Sequence, residues 1–149
     1  MGFFLEFITN KILLSVVFAY FFAGLLKLIF VFIAYDRIDF MVFFRTGGMP
    51  SSHTASVTAM TTAVYLSSGV SDLFIISSIV STIVISDAVG LRRAVGKQAE
   101  VLNQMTDEFR YFRRIKTKKL YELLGHTPKQ TIAGFILGIL VARLVFVFF

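Results

Sequence analysis

The chain holds two histidines, and each stands beside glycine and proline, in 47-GGMPSSH-53 and in 124-LGHTPKQTIAG-134. In the first stretch, Gly47 and Gly48 open backbone conformations closed to other residues. Pro50 fixes its own φ and has no N–H, which suits the approach to a helix or its first turn. Ser51 and Ser52 are N-cap residue types for a helix that begins near His53. A helix N-terminus carries unpaired N–H groups and partial positive charge, so it attracts anions. Two hydroxyls and an imidazole at that spot suit a phosphate, although a capped turn without a ligand would use the same residues.

Between the two stretches lies 87-DAVGLRRAVGKQAEVLN-103, where Asp87 is followed by the adjacent Arg92 and Arg93. The planar fork of arginine grips phosphate oxygens through two parallel charge-assisted bonds. Two histidines, arginines and a lysine facing a helix N-terminus meet the needs of phosphoryl transfer without a metal. One imidazole attacks phosphorus, the other protonates the leaving oxygen, and the cations hold the equatorial oxygens. No cluster of carboxylates is present to build a magnesium site, so neither metal nor other cofactor is expected.

These groups need elements to hold them, and composition limits which. Of the 149 residues 56% are hydrophobic, with 18 Phe, no Trp and no Cys. That is too apolar for a soluble domain, and several uncharged runs approach the length of a membrane span. The sequence predicts one all-α membrane domain over residues 1–149, a small polytopic bundle of about four transmembrane helices. The spans fall at about 12–34, 53–69, 73–89 and 128–148, with Ser71 or Asp72 capping the third. The second and third are short for lipid-facing spans and are expected inside the bundle. Small Ala, Thr and Ser side chains in the second allow close helix approach, as does Gly134-xxx-Gly138 in the last. Residues 1–10 are expected at the interface or as the fringe of the first span. Residues 91–125 are polar and basic, with Leu91, Val95, Leu102, Met105, Phe109 and Phe112 at helical spacing, which predicts an amphipathic interfacial helix. No basic stretch precedes the first apolar run and no small-residue cleavage site follows it, so no cleavable signal peptide is expected.

Four spans put the 36–53 loop and the 91–127 segment on one side of the membrane. That side holds 12 of the 15 basic residues, which places it in the cytoplasm of a multi-pass cell-membrane protein with both termini outside. His53 and His126 meet on that face. The net charge of +6 then points to anionic lipid as the partner, not to nucleic acid. Lys27 lies about eight residues from the cytoplasmic end of the first span, roughly 12 Å deep. An ionisable group there is a functional hypothesis, and snorkelling to the surface is the alternative.

In these motifs the chain resembles the type-2 phosphatidic acid phosphatase superfamily, and in particular its divergent bacterial and plant branch. The superfamily carries a Pro-Ser-Gly-His element, and 50-PSSH-53 is similar, with Ser52 in the glycine position. A later element, Gly-His-x-Pro-x-Asp-x-x-Ala-Gly, resembles 125-GHTPKQTIAG-134 across ten residues. The resemblance implies that His126 is the nucleophile that forms a phosphohistidine and that His53 protonates the leaving group. The Asp that orients the family's nucleophile falls on Gln130, whose amide accepts a hydrogen bond but cannot stabilise positive charge. Arg92 with Gly96 resembles the family's Ser-Arg-x-x-x-Gly spacing, as if 97–124 were inserted. The family's Lys–Arg–Pro pattern is missing, and Lys27 stands as a candidate replacement.

The expected function is therefore a membrane lipid-phosphate phosphatase acting on a phosphomonoester or diphosphate, phosphatidylglycerophosphate-like or polyprenyl, with a cytoplasmic site favouring the former. Its phosphate would be held by Lys27, Gly48, Ser51, Ser52 and one of Arg92 and Arg93. Asp87 is either part of that set or the ion-pair partner of an arginine. The competing reading is a catalytically silent membrane scaffold or phospholipid-binding protein, with Gln130 marking the loss. A transporter gains little, because four spans show no inverted repeat. The glycine motif in the last helix makes a homodimer plausible.

Overall fold

A computed structural model of the chain describes residues 2–36, 39–43, 47–112, 120 and 125–149, with Phe3, 91–93 and 108–112 described as backbone only. The described residues form helices α1 (Gly2–Ile8), α2 (Lys11–Tyr35), α3 (Ser52–Ser68), α4 (Asp72–Val89), α5 (Leu91–Phe112) and α6 (Pro128–Phe148). A 3₁₀ turn over Phe40–Phe43 lies between α2 and α3. Among the described residues three helical stretches are long and apolar enough to cross a membrane: α2, α6, and α4 continued through α5 as far as Asp107. The fourth expected span, α3, is not among them. It has 17 residues and is rich in Ala, Thr and Ser instead of bulky apolar side chains.

Local sequence explains the helix boundaries. Asn10 starts α2, its Oδ1 accepting from the N–H groups of Ile12 and Leu13. Ser51 caps α3 and Ser71 caps α4, each through its hydroxyl to the N–H three residues on. Gly69, with φ +63°, closes α3 in a conformation that a side chain would disfavour. Thr127 opens α6 with a full capping box to Gln130 and proline in the first turn.

Small residues hold the centre. α3 packs against α2, α4 and α6. Ala55, Ala59 and Ala63 on α3, Ala19 and Ala23 on α2, and Ala142 on α6 are all fully buried. On α6, a Cβ at Gly134 would stand 2.5 Å from the Ser51 carbonyl oxygen, and one at Gly138 2.5 Å from that of Ala55. The two glycines therefore let α6 lie directly on the α3 backbone, which is how a GxxxG face works.

The expectation that both middle helices lie inside holds for α3 and not for α4. Of α4 only Ser77, Ser81 and Ala88 are buried, while Ile75, Ile76, Ile79 and Ile83 are exposed. The reason is polar satisfaction. Thr61 Oγ1 donates to the Ser77 carbonyl at 3.2 Å and lies 2.7 Å from Ser81 Oγ, which in turn donates to the Val57 carbonyl at 3.0 Å. The hydroxyl face of α4 is drawn onto α3, and its isoleucines turn outward.

In α5, Gly96, Ala99 and Asn103 are buried, and Val95, Leu102 and Met105 are exposed. Asn103 clamps the backbone of Leu120 from both sides, donating from Nδ2 to its carbonyl and accepting at Oδ1 from its N–H, both at 2.8 Å. Phe109 and Phe112 of the expected amphipathic pattern have side chains outside the described residues, as does that of Leu91.

Candidate active site at the start of helices α3 and α6

Two helix N-termini are tied together by their backbones. The Ser51 N–H donates to the Gln130 carbonyl at 3.0 Å, so the cap of α3 rests on the first turn of α6. The His126 N–H donates to the Ala88 carbonyl at 3.0 Å, which anchors the approach to α6 on the end of α4. Gly125, with φ +95°, makes the turn into His126. Gly48, with φ +78°, does the same on the approach to α3, and the Lys27 stem passes beneath it. Neither glycine could carry a Cβ there without strain.

Within this frame the two histidines face each other. Their ring centroids lie 6.0 Å apart, at an interplanar angle of 60°. His126 is 2% exposed, and neither of its ring nitrogens has a partner in full hydrogen-bonding geometry. Burial and the nearby Lys27 cation push its pKa down to about 4, with His53 acting in the same direction. The Gln130 side chain and the Gly48 backbone oppose that shift, because both lie where they favour a proton on the ring. The balance leaves His126 neutral at pH 7, with a nitrogen lone pair available to an electrophile.

Lys27 turns inward. It is 1% exposed, and its Nζ donates to Ser52 Oγ at 3.1 Å in a buried bond. Ser51 Oγ accepts from the Thr54 N–H at 3.3 Å and from Thr54 Oγ1 at 3.0 Å. A cation, the partly positive end of α3 and an uncharged imidazole thus converge at one spot. That arrangement has the charge to suit an anion and sets an uncharged imidazole nitrogen beside it.

The chain matches the Divergent PAP2 family over residues 8–141. It belongs to that family. It is also 40% identical, over 157 aligned positions, to a Bacillus subtilis (strain 168) protein named "Uncharacterized membrane protein YuiD", covering 97% of this chain and 99% of that one. No solved structure matches it. With three helices apolar enough to cross a bilayer and a relative described as a membrane protein, this Divergent PAP2 family member is a membrane protein.

Of the residues singled out in the sequence, the structure brings Lys27, Gly48, Ser51, Ser52, His53, His126 and Gln130 together. Asp87 lies half-buried one residue before Ala88, whose carbonyl holds the His126 backbone. The side chains of Arg92 and Arg93 are outside the described residues, on the first turn of α5. Gln130 also serves the fold, because its Oε1 accepts from the Thr127 N–H at 2.9 Å and closes the capping box of α6. The Thr-x-x-Gln spacing carries that role in the sequence itself. Thr54, fully buried beside Ser51, also belongs to the site frame. Its position three residues after the cap is the only sequence signal for it.

Proposed function

We propose that this Divergent PAP2 family member is an integral membrane phosphatase that removes phosphate from a lipid through a phosphohistidine. The observation that carries the reading is the buried, neutral His126 ring facing His53 at 6.0 Å, beside the Lys27–Ser52 pair. A nitrogen of His126 attacks phosphorus, and the bond from phosphorus to the lipid oxygen breaks as His53 gives that oxygen its proton. The Lys27 ammonium and the N-terminus of α3 hold the non-bridging oxygens as charge builds on them. The Gly48 backbone and the Gln130 side chain favour the positive charge that forms on the His126 ring. Water then attacks the phosphohistidine, His53 takes its proton, and inorganic phosphate leaves with His126 restored. Arg92 or Arg93 would add a further cation at the rim.

In this reading α2, α3, α4 and α6 all cross the bilayer, and the site and basic segment face the cytoplasm, with both termini outside. The substrate is then a cytoplasmic-face phosphomonoester or diphosphate on a lipid, of the phosphatidylglycerophosphate kind. Phosphate release by purified protein in detergent, over a panel of lipid phosphates, tests it. Release that persists in EDTA, is inhibited by vanadate and is abolished in His126→Ala and His53→Ala supports the enzyme. One observation favours the second reading, a silent phospholipid-binding protein. Gln130 holds no charge and commits its Oε1 to the Thr127 N–H, so no carboxylate at this position backs the nucleophile. Folded wild-type protein that binds lipid phosphate and releases none would sink the enzymatic reading.

A further inference from the structure

Two cavities lined only by apolar side chains are stacked along the seam between α2 and α6. The one nearer the site, about 330 Å³, is bounded by Leu26 and Phe30 of α2, Met49 and Pro50, and Ala133 to Leu140 of α6. The farther one, about 240 Å³, lies between Phe18 and Phe22 of α2 and Val141 to Phe148 of α6. Leu26 and Phe22 are one helical turn apart, and Leu140 and Val141 are adjacent, so one cavity begins where the other ends. Two residues lining the near end are chain neighbours of site residues, Leu26 of Lys27 and Pro50 of Ser51, and a third, Ala133, precedes Gly134, which lies against the Ser51 carbonyl. The seam therefore opens beside the phosphate-holding end of α3 and runs away from it.

From Ala133 to Phe148 the seam follows α6 for about 22 Å at 1.5 Å per residue. That exceeds the roughly 15 Å that one leaflet of a 30 Å hydrocarbon core offers a chain. It is close to the extended length of a hexadecanoyl chain. At the far end, the rings of Phe18 and Phe149 both line the seam, with centroids 6.0 Å apart and planes tilted by 40°.

We infer that the α2–α6 seam holds a single long hydrocarbon chain of the lipid phosphate and measures its length. The inference rests on the lipid-phosphate reading of the site. A chain that enters the seam leaves lipid or detergent, not water, so it gains no hydrophobic transfer energy. Its gain is van der Waals contact with the seam walls, which grows with each methylene that finds partners and stops when the seam is full. A chain that stayed in the surrounding lipid would show no such dependence.

The test uses the whole protein in maltoside micelles with monoacyl glycerol phosphates carrying octanoyl, dodecanoyl, hexadecanoyl or eicosanoyl chains at equal mole fraction. The matching phosphonates, which cannot be hydrolysed, report binding by native mass spectrometry. Affinity should rise several-fold from octanoyl to hexadecanoyl and then level off. Leu140→Trp, at a half-exposed position between the cavities, should move the plateau to shorter chains, and Phe18→Ala should move it to longer ones. Ile132→Trp, an exposed site off the seam, should leave it in place. Affinity that is flat with chain length, or a plateau that neither seam variant moves, overturns the inference. Chain-dependent phosphonate binding without phosphate release from any ester would sustain the seam and overturn the phosphatase. Release with a flat chain dependence would do the reverse.

Discussion

Lys27 and Ser52 lie 25 positions apart in the chain, yet the lysine ammonium donates a 3.1 Å hydrogen bond to the serine hydroxyl in the interior of the bundle. Burying an ammonium costs desolvation, and at the N-terminus of α3 its charge adds to an end that already attracts anions, so it is better suited to receiving an anion than to stabilising the fold. Replacing Lys27 by Met should therefore leave thermal stability unchanged or slightly raised. It should lower phosphate release, or lipid-phosphate binding, by roughly 10²-fold, the usual cost of one preorganised charge-stabilising donor. Thermal unfolding and ligand titration of the same preparation check both halves. A variant that is destabilised by several kcal/mol with unchanged binding would assign Lys27 to structure alone.

The depressed pKa of His126 sets a pH dependence with a definite sign. Its ordinary value is 6.5 and the folded value is about 4. Between these values the unfolded chain binds the proton more readily than the folded one. Stability is therefore complete above about pH 6.5 and is lost as pH falls toward 4, by an amount on the order of 3 kcal/mol in total. The melting temperature of wild-type protein should fall over that interval, and that of His126→Phe should fall less. The acid limb of kcat/KM should lie near 4 for the same reason, well below that of an exposed histidine.

The glycines of the bundle should differ in what they tolerate. A methyl group at Gly138 meets the Ala55 carbonyl at 2.5 Å and the Thr58 Cβ at 2.8 Å, and one at Gly134 meets the Ser51 carbonyl at 2.5 Å. Backbone cannot move aside without separating α3 from α6. Gly138→Ala should cost about 1–3 kcal/mol, the range of overpacking in a tight core. Gly134→Ala should cost a similar amount and also reduce activity, because it displaces the cap that rests on Gln130. At Gly24 the obstruction is the ring edge of Phe43, a side chain that can swing away, so Gly24→Ala should be the mildest of the three. Melting temperatures of the three variants give the ranking directly.

Much of the frame was legible in local residue patterns, and what escaped was long-range. The cap at Ser51, the last helix at 128–148 and the packing role of Gly134 and Gly138 follow from rules that act within one or two turns. The inward turn of Lys27 did not, because depth along a helix says nothing of rotation about it. α4 misled for a related reason. Its apolar residues surround the helix and mark no face, and only the hydroxyls of Thr61, Ser77 and Ser81, 16 to 20 positions apart, decide which side meets α3. The hold of Asn103 on Leu120 is equally non-local. At Gln130 the family pattern drew attention to the missing carboxylate and away from the capping box that Thr127 announces.

Gln130 therefore joins two roles that substitutions should separate. Gln130→Ala removes the acceptor for the Thr127 N–H and should cost roughly 1 kcal/mol of stability, as loss of a cap usually does. It also removes a group that favours the proton on His126, so the acid limb should move to lower pH. Gln130→Asp puts a negative charge beside the ring and should raise the His126 pKa above 4, moving the limb to higher pH. A carboxylate there also stabilises the imidazolium that forms as phosphorus is attacked, so phosphate release should increase. Measuring rate against pH for the three forms decides what this residue does. A shift in the limb without a gain in rate would mean that a charge at this position tunes the proton and not the chemical step. A gain in rate would identify the amide as the brake on the site.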